Sequence, residues 1–151
     1  MTTDRPLYLI DLYVMEYDPA ASGTLSPVDA VTCARAIATA AHAWEVDEMG
    51  GAYVAHVAHV AAGFGDATAV AVAWLHDVLG GAVVTLADLR RLFPAEIVDA
   101  VDALTRRPHE TEDEYGTRIR RNRLAADFKI ACLRERLIQG LGDGSNPCSC
   151  A

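Results

Sequence analysis

Alanine fills 27 of the 151 positions, whereas aromatic residues make up only 7% of the chain. Alanine is the strongest helix former, and β-rich folds depend on branched and aromatic side chains, so this bias points to an all-α fold. Apolar residues reach 52%. A chain of this length and apolar content buries a sizeable core as one domain, which argues against global disorder. The net charge of −8 opposes non-specific binding to nucleic acid or to an anionic membrane surface. The charge is uneven. Residues 106–136 hold nine of the 13 basic residues against six acids, a locally positive segment in an acidic chain. Such a segment either faces an anionic ligand or is a solvated face laced with i,i+4 pairs.

No secretory signal is expected, because the apolar stretch Leu7–Tyr17 is interrupted by Asp11 and Glu16 and preceded only by Arg5. Nothing approaches the ~20 apolar residues of a spanning helix. Cys33 and Cys132 lie in helix-like segments, and Cys148 and Cys150 in a Gly/Ser/Pro-rich tail. That spacing is neither a disulfide framework nor a zinc knuckle, so a reducing cytoplasm is the expected compartment.

Turn and capping residues divide the rest. Residues 1–25 form an N-terminal extension, 26–139 a helical domain and 140–151 a flexible tail. Ser26-Pro27-Val28-Asp29 reads as a helix start, with a helix to about Trp44. A second helix is predicted over Tyr53–Phe64. A third, over Ala67–Leu79, is apolar nearly all round and so central. Thr85 with Asp88 opens a short helix, Pro94 opens another to Leu104, and Thr111 with Glu114 forms a capping box for a helix to Arg120. The last runs over Leu124–Gln139. The sum is an orthogonal bundle of six or seven helices.

Three of the five histidines sit on the second and third helices, where antiparallel packing would bring His56 or His59 beside His76-Asp77. His76-Asp77 ends the most apolar helix, and His56 and His59 lie i,i+3 on the helix before it. Burying His beside Asp is costly unless the two bind something. Two imidazoles and a carboxylate suit zinc, manganese or iron(II), and they equally suit a set of buried, hydrogen-bonded histidines.

His56 followed about twenty residues later by His76-Asp77 resembles the HD superfamily of metal-dependent phosphohydrolases. The flanking runs Ala40-Ala41-His42, Gly51–His56, Ala73–Val78, Thr85–Leu89, Phe93-Pro94, Val101–Thr105 and Lys129-Ile130-Ala131 fall in order. Over Ser26–Leu137 they resemble the hydrolase domain of RelA/SpoT-type proteins and small alarmone hydrolases. The resemblance implies an HD-type helical bundle, a divalent metal, a guanosine polyphosphate or similar nucleotide as substrate, and attack on phosphorus by a metal-activated water. It implies His56, His76 and Asp77 as metal ligands, with Cys132 in place of the fourth. His42 and Tyr53 would line the pocket, and Arg118 and Lys129 fall where charged pocket residues are common.

The departures from the family cluster on one pocket. The fourth ligand is an Asp in the family, and Cys132 here would favour zinc over manganese or magnesium. The family's Glu-Asp pair after the HD dipeptide is Gly80-Gly81, and its later Asp-Asn pair is Glu135-Arg136. The loop before Tyr53, often basic in alarmone hydrolases, carries Glu45, Asp47 and Glu48, which repel a polyphosphate. Trp44 stands where glycine is common and would narrow the pocket mouth. Glu45 with Asp47 could supply an acid/base pair there.

Two readings compete. One is a metal-dependent phosphohydrolase-like enzyme with an altered pocket for a small phosphorylated or nucleotide-like metabolite. The other is a repurposed HD fold without metal hydrolysis, either a non-hydrolytic enzyme of specialised metabolism or a binding or docking protein with no cofactor. The expected partner is a small molecule, with a homodimer through Leu7–Tyr17 as a further option.

Overall fold

Ser26 starts the first helix as its chemistry requires. Its Oγ accepts from the Asp29 amide at 3.3 Å and donates to Asp29 Oδ2 at 2.6 Å, and Pro27 sits where no amide proton is needed. The structure is a computed structural model that describes residues 23–47, 50–81 and 83–139. Among the described residues seven α-helices follow one another: α1 Pro27–Ala41, α2 Tyr53–Ala62, α3 Ala67–Leu75, α4 Leu86–Leu92, α5 Ala95–Leu104, α6 Glu112–Arg120 and α7 Arg123–Gln139. Among the described residues there is no strand, only an isolated bridge between Val46 and Ala52, and the fold is all-α. No described helix is long and apolar enough to cross a membrane. The segment Leu7–Tyr17, Glu48 and the Cys148/Cys150 tail lie outside the described residues.

Helix α3 is the centre, as its uniform apolarity predicts. Ala71, Val72, Ala73, Trp74 and Leu75 are buried, and the helix packs against α1, α2, α5 and α7. Burying short alanine faces lets helices approach closely, and the core is then filled by Leu75, Leu89, Leu92, Phe93, Ile97 and Phe128. Asp66 caps α3, its Oδ2 accepting from the Ala69 amide at 3.0 Å. The capping boxes read from Thr85/Asp88 and Thr111/Glu114 are both formed.

Helix α2 ends at Ala62 and not Phe64, and two further helices end still earlier relative to their apolar patterns. Helix α3 stops at Leu75 and not Leu79, because the His76 ring Nδ1 lies 2.7 Å from the Ala73 carbonyl. That carbonyl is the acceptor a continuing helix would offer to the Asp77 amide. Asp77 then leaves helical backbone (φ −120°, ψ 4°) and a 3₁₀ turn, Val78–Gly80, follows. Helix α1 ends at Ala41 and not Trp44, with His42 as its cap and a turn closed by the Glu45 amide on the His42 carbonyl at 3.1 Å. Both early endings place a histidine at the point where a helix becomes a turn.

Candidate functional site

His76 is the hub. It is buried and its ring lies 4.6 Å from that of Phe128 on α7. A carbonyl can only accept, so the 2.7 Å contact to Ala73 fixes the proton on Nδ1. Nε2 then carries a lone pair, and it is buried with no hydrogen-bond partner. Burial holds the His76 pKa below the usual imidazole value, against the opposing pull of the Ala73 bond and of Asp77. The charges of Asp77, His42 and His56 all act on this ring, so the ends of α1 and α3 and the first turns of α2 meet here.

His42 and His56 are left in a similar state. Both nitrogens of His42 are buried without a hydrogen-bond partner. Glu45 Oε2 approaches Nδ1 to 3.1 Å, but at an angle that makes no hydrogen bond. His56 Nε2 is also buried and unpartnered. Its pKa is lowered by burial first and then by His59. Tyr53 stands between the two imidazoles, with ring centroids 5.0 Å from His42 and 6.2 Å from His56. Its hydroxyl donates to Asp77 Oδ2 at 3.0 Å. The group is therefore three imidazoles presenting buried nitrogens around a Tyr–Asp pair.

The other sequence candidates stand in different settings. Cys132 is buried one turn beyond Phe128, and neither it nor Cys33 is in a disulfide. Trp44 is 96% exposed and covers nothing. Glu45 is half exposed, and its backbone carbonyl accepts from the Tyr53 amide at 3.0 Å. Arg118 is committed to the loop after α5. It donates to Glu110 from Nε and Nη2, and to the carbonyls of Asp102, Ala103 and Thr105 at 3.0, 3.3 and 2.8 Å. Those five bonds make it the pin of that loop and not part of the histidine group. Lys129 lies against Tyr115, 5.5 Å from its ring centroid, in a separate groove between α6 and α7.

One neighbour, Phe128, escapes the sequence reading, and another, Glu135, is read there only as a departure from the family's Asp-Asn pair. Phe128 walls the His76 ring, a role that only the α3–α7 packing reveals. Glu135 reaches His59 Nε2 at 3.2 Å, and both Glu135 and Asp47 raise the His56 pKa against the effect of burial. His59 and His109 are exposed, the latter with a positive φ of 63°.

The donor chemistry is of the kind a divalent transition metal takes, since His76 presents an Nε2 lone pair beside Asp77 and His56 has a buried Nε2 without a hydrogen-bond partner. Among the described residues, however, no three His, Cys, Asp or Glu side chains stand in a ready-made metal-holding group. No protein-family model matches the chain, and no curated protein is significantly similar to it.

Proposed function

We propose that this chain is a divergent HD-type phosphohydrolase acting on a small phosphorylated or nucleotide-like metabolite. The observation that carries the reading is the set of buried imidazole nitrogens without a hydrogen-bond partner on His42, His56 and His76, the last beside Asp77. Buried polar atoms without partners are rare and concentrate where a ligand supplies the missing bond. His56, His76 and Asp77 would hold manganese, zinc or iron, leaving open positions for substrate. Bound by these residues, such a metal would supply Lewis-acid polarisation of a phosphoryl oxygen and a more acidic water. Tyr53 would orient Asp77. The fixed Nδ1 proton of His76 keeps its Nε2 lone pair available at any pH where the ring is neutral. Burial of His42 behind Tyr53 would keep bulk water from that side of the pocket.

A second reading is a repurposed HD fold that has lost metal hydrolysis. It is favoured by the turn after α3, where Gly80-Gly81 offers no carboxylate to activate water, and by the lack of a ready-made three-residue metal group among the described residues. The deciding experiment is metal analysis of protein purified without chelator and after addition of manganese or zinc, followed by phosphate release from a panel of nucleotides. About one metal per chain, with turnover abolished in His76→Ala, supports the first reading. No metal under any loading condition leaves only the second.

A further inference from the structure

The groove between α6 and α7 is separate from the histidine group. It encloses about 550 Å³, within the ~300–1,000 Å³ typical of small-molecule sites. Its floor is Tyr115, a buried ring fixed by a 2.8 Å hydrogen bond from its hydroxyl to the Leu104 carbonyl. Arg106 lies over that ring at 4.5 Å and Lys129 at 5.5 Å. Arg120 completes three cations around the groove, against a single carboxylate, Glu112, paired with Arg106 at 2.7 Å. The other wall is apolar. Ile119 and Ala126 form its base, and Ile130 and Leu133 remain about half exposed, 48% and 47%, at its lip. Leu137, one further turn along α7, extends the apolar lip into solvent.

We propose that this groove is a second binding site, for a small amphipathic anion: an aromatic or short-chain phosphate ester, with its head among Arg106, Arg120 and Lys129 and its body on Ile130 and Leu133. Cations set over a rigid aromatic floor favour a planar or polarisable body, and their excess over Glu112 favours a negative head. The apolar lip adds what inorganic phosphate lacks. The proposal does not depend on the hydrolase reading, because no groove residue belongs to the histidine group.

Lys129 is the only lysine in the chain, so the rate at which an acylating reagent modifies its Nζ reads this groove directly. The probe is 1-naphthyl phosphate, with inorganic phosphate as the comparison, on the full chain. The expected result is saturable protection of Lys129 by the probe. Inorganic phosphate should need at least tenfold more for equal protection. Half-saturation should rise at least tenfold in Ile130→Glu, whose half-exposed position tolerates the change. Folded His76→Ala should protect like the parent. Protection that does not saturate, that inorganic phosphate matches, or that Ile130→Glu leaves intact would overturn the site. Loss of protection in His76→Ala would move the probe to the histidine group and equally overturn it. A Lys129 already unreactive without probe would show that a second copy or the chain's own terminus occupies the groove, and the proposal would fail.

Discussion

The hydroxyl of Tyr53, the first residue of α2, donates at 3.0 Å to Oδ2 of Asp77, the residue at which α3 gives way to a turn. One bond therefore ties the orientation of the candidate carboxylate to the start of the neighbouring helix. Tyr53→Phe keeps the ring contact with His42 and removes only this donor. A hydrogen bond to a charged group contributes about 1.5–3 kcal/mol when buried. The pair here is half buried, so a loss of about 1–2 kcal/mol in urea unfolding is expected. Asp77→Ala should cost a similar amount, and the double variant should cost little more than either alone. Additive costs would mean that the two side chains do not act on one another.

Burial lowers the pKa of His76, and of His56 to a lesser degree of enclosure. The unfolded chain protonates these rings near pH 6.5 (about the free imidazole value), whereas the folded chain keeps them neutral to lower pH. The folded state then binds fewer protons, so stability is complete above about pH 6.5 and falls as the pH drops below it. Chelator-treated protein should show a melting temperature that is level from pH 8 to 7 and declines toward pH 5. A transition metal that binds through Nε2 should offset this decline in the parent and not in His76→Ala. A flat profile down to pH 5 would exclude the buried neutral imidazoles as its source.

Arg118 holds Glu110 in its carboxylate form, and the resulting hydrogen bonds pull the Glu110 pKa down to about 2. In the unfolded chain this group titrates near 4.5. The pair therefore stabilises the fold fully above pH 4.5, and its contribution is lost as the pH falls toward 2. Arg118→Met should lower the melting temperature at pH 7 and flatten its pH dependence between 4.5 and 2. Arg118→Lys should rescue little, because an ammonium cannot serve a carboxylate and three carbonyls at once. The phosphatase panel should be unaffected by either variant at temperatures where they stay folded, since Arg118 serves the loop after α5 and not the histidine group.

The helices were legible because their starts are written in local chemistry. Ser26-Pro27, Asp66, Thr85/Asp88 and Thr111/Glu114 each cap the helix that follows. Helix ends were less legible. The apolar run through Leu79 favours continuation, and only the His76 ring taking the Ala73 carbonyl stops it. The sequence spacing groups His56, His59, His76 and Asp77, and the family resemblance adds His42 and Tyr53; His42, Tyr53, His56, His76 and Asp77 fall in one region of the structure, whereas His59 is exposed. The resemblance groups Arg118 and Lys129 as charged pocket residues, and the structure gives the two different neighbours. A cation in a basic segment serves whatever carbonyl, carboxylate or ring tertiary packing brings to it, here Glu110 for one and Tyr115 for the other. Trp44 shows the same limit, because a large apolar residue in a turn has no periodic pattern to tell whether it faces inward.

The turn after α3 offers the most direct test of the hydrolase proposal. A side chain added at Gly80 would place its Cβ 3.6 Å from Asp77 Oδ1, an ordinary contact, and at Gly81 it would meet nothing within 4 Å. Neither glycine has a positive φ, so a larger residue brings no backbone strain at either position. Gly80→Glu with Gly81→Asp would therefore add two carboxylates to the turn after Asp77, the first of them next to Asp77, without a close contact from either Cβ. A positioned general base contributes about 10²–10⁴-fold to rate. If His56, His76 and Asp77 hold a metal, the double variant should raise metal-dependent phosphate release at least 10²-fold over the parent. His76→Ala in the same background should abolish the gain. A folded, metal-loaded double variant that releases no more phosphate than the parent would count against the hydrolase proposal.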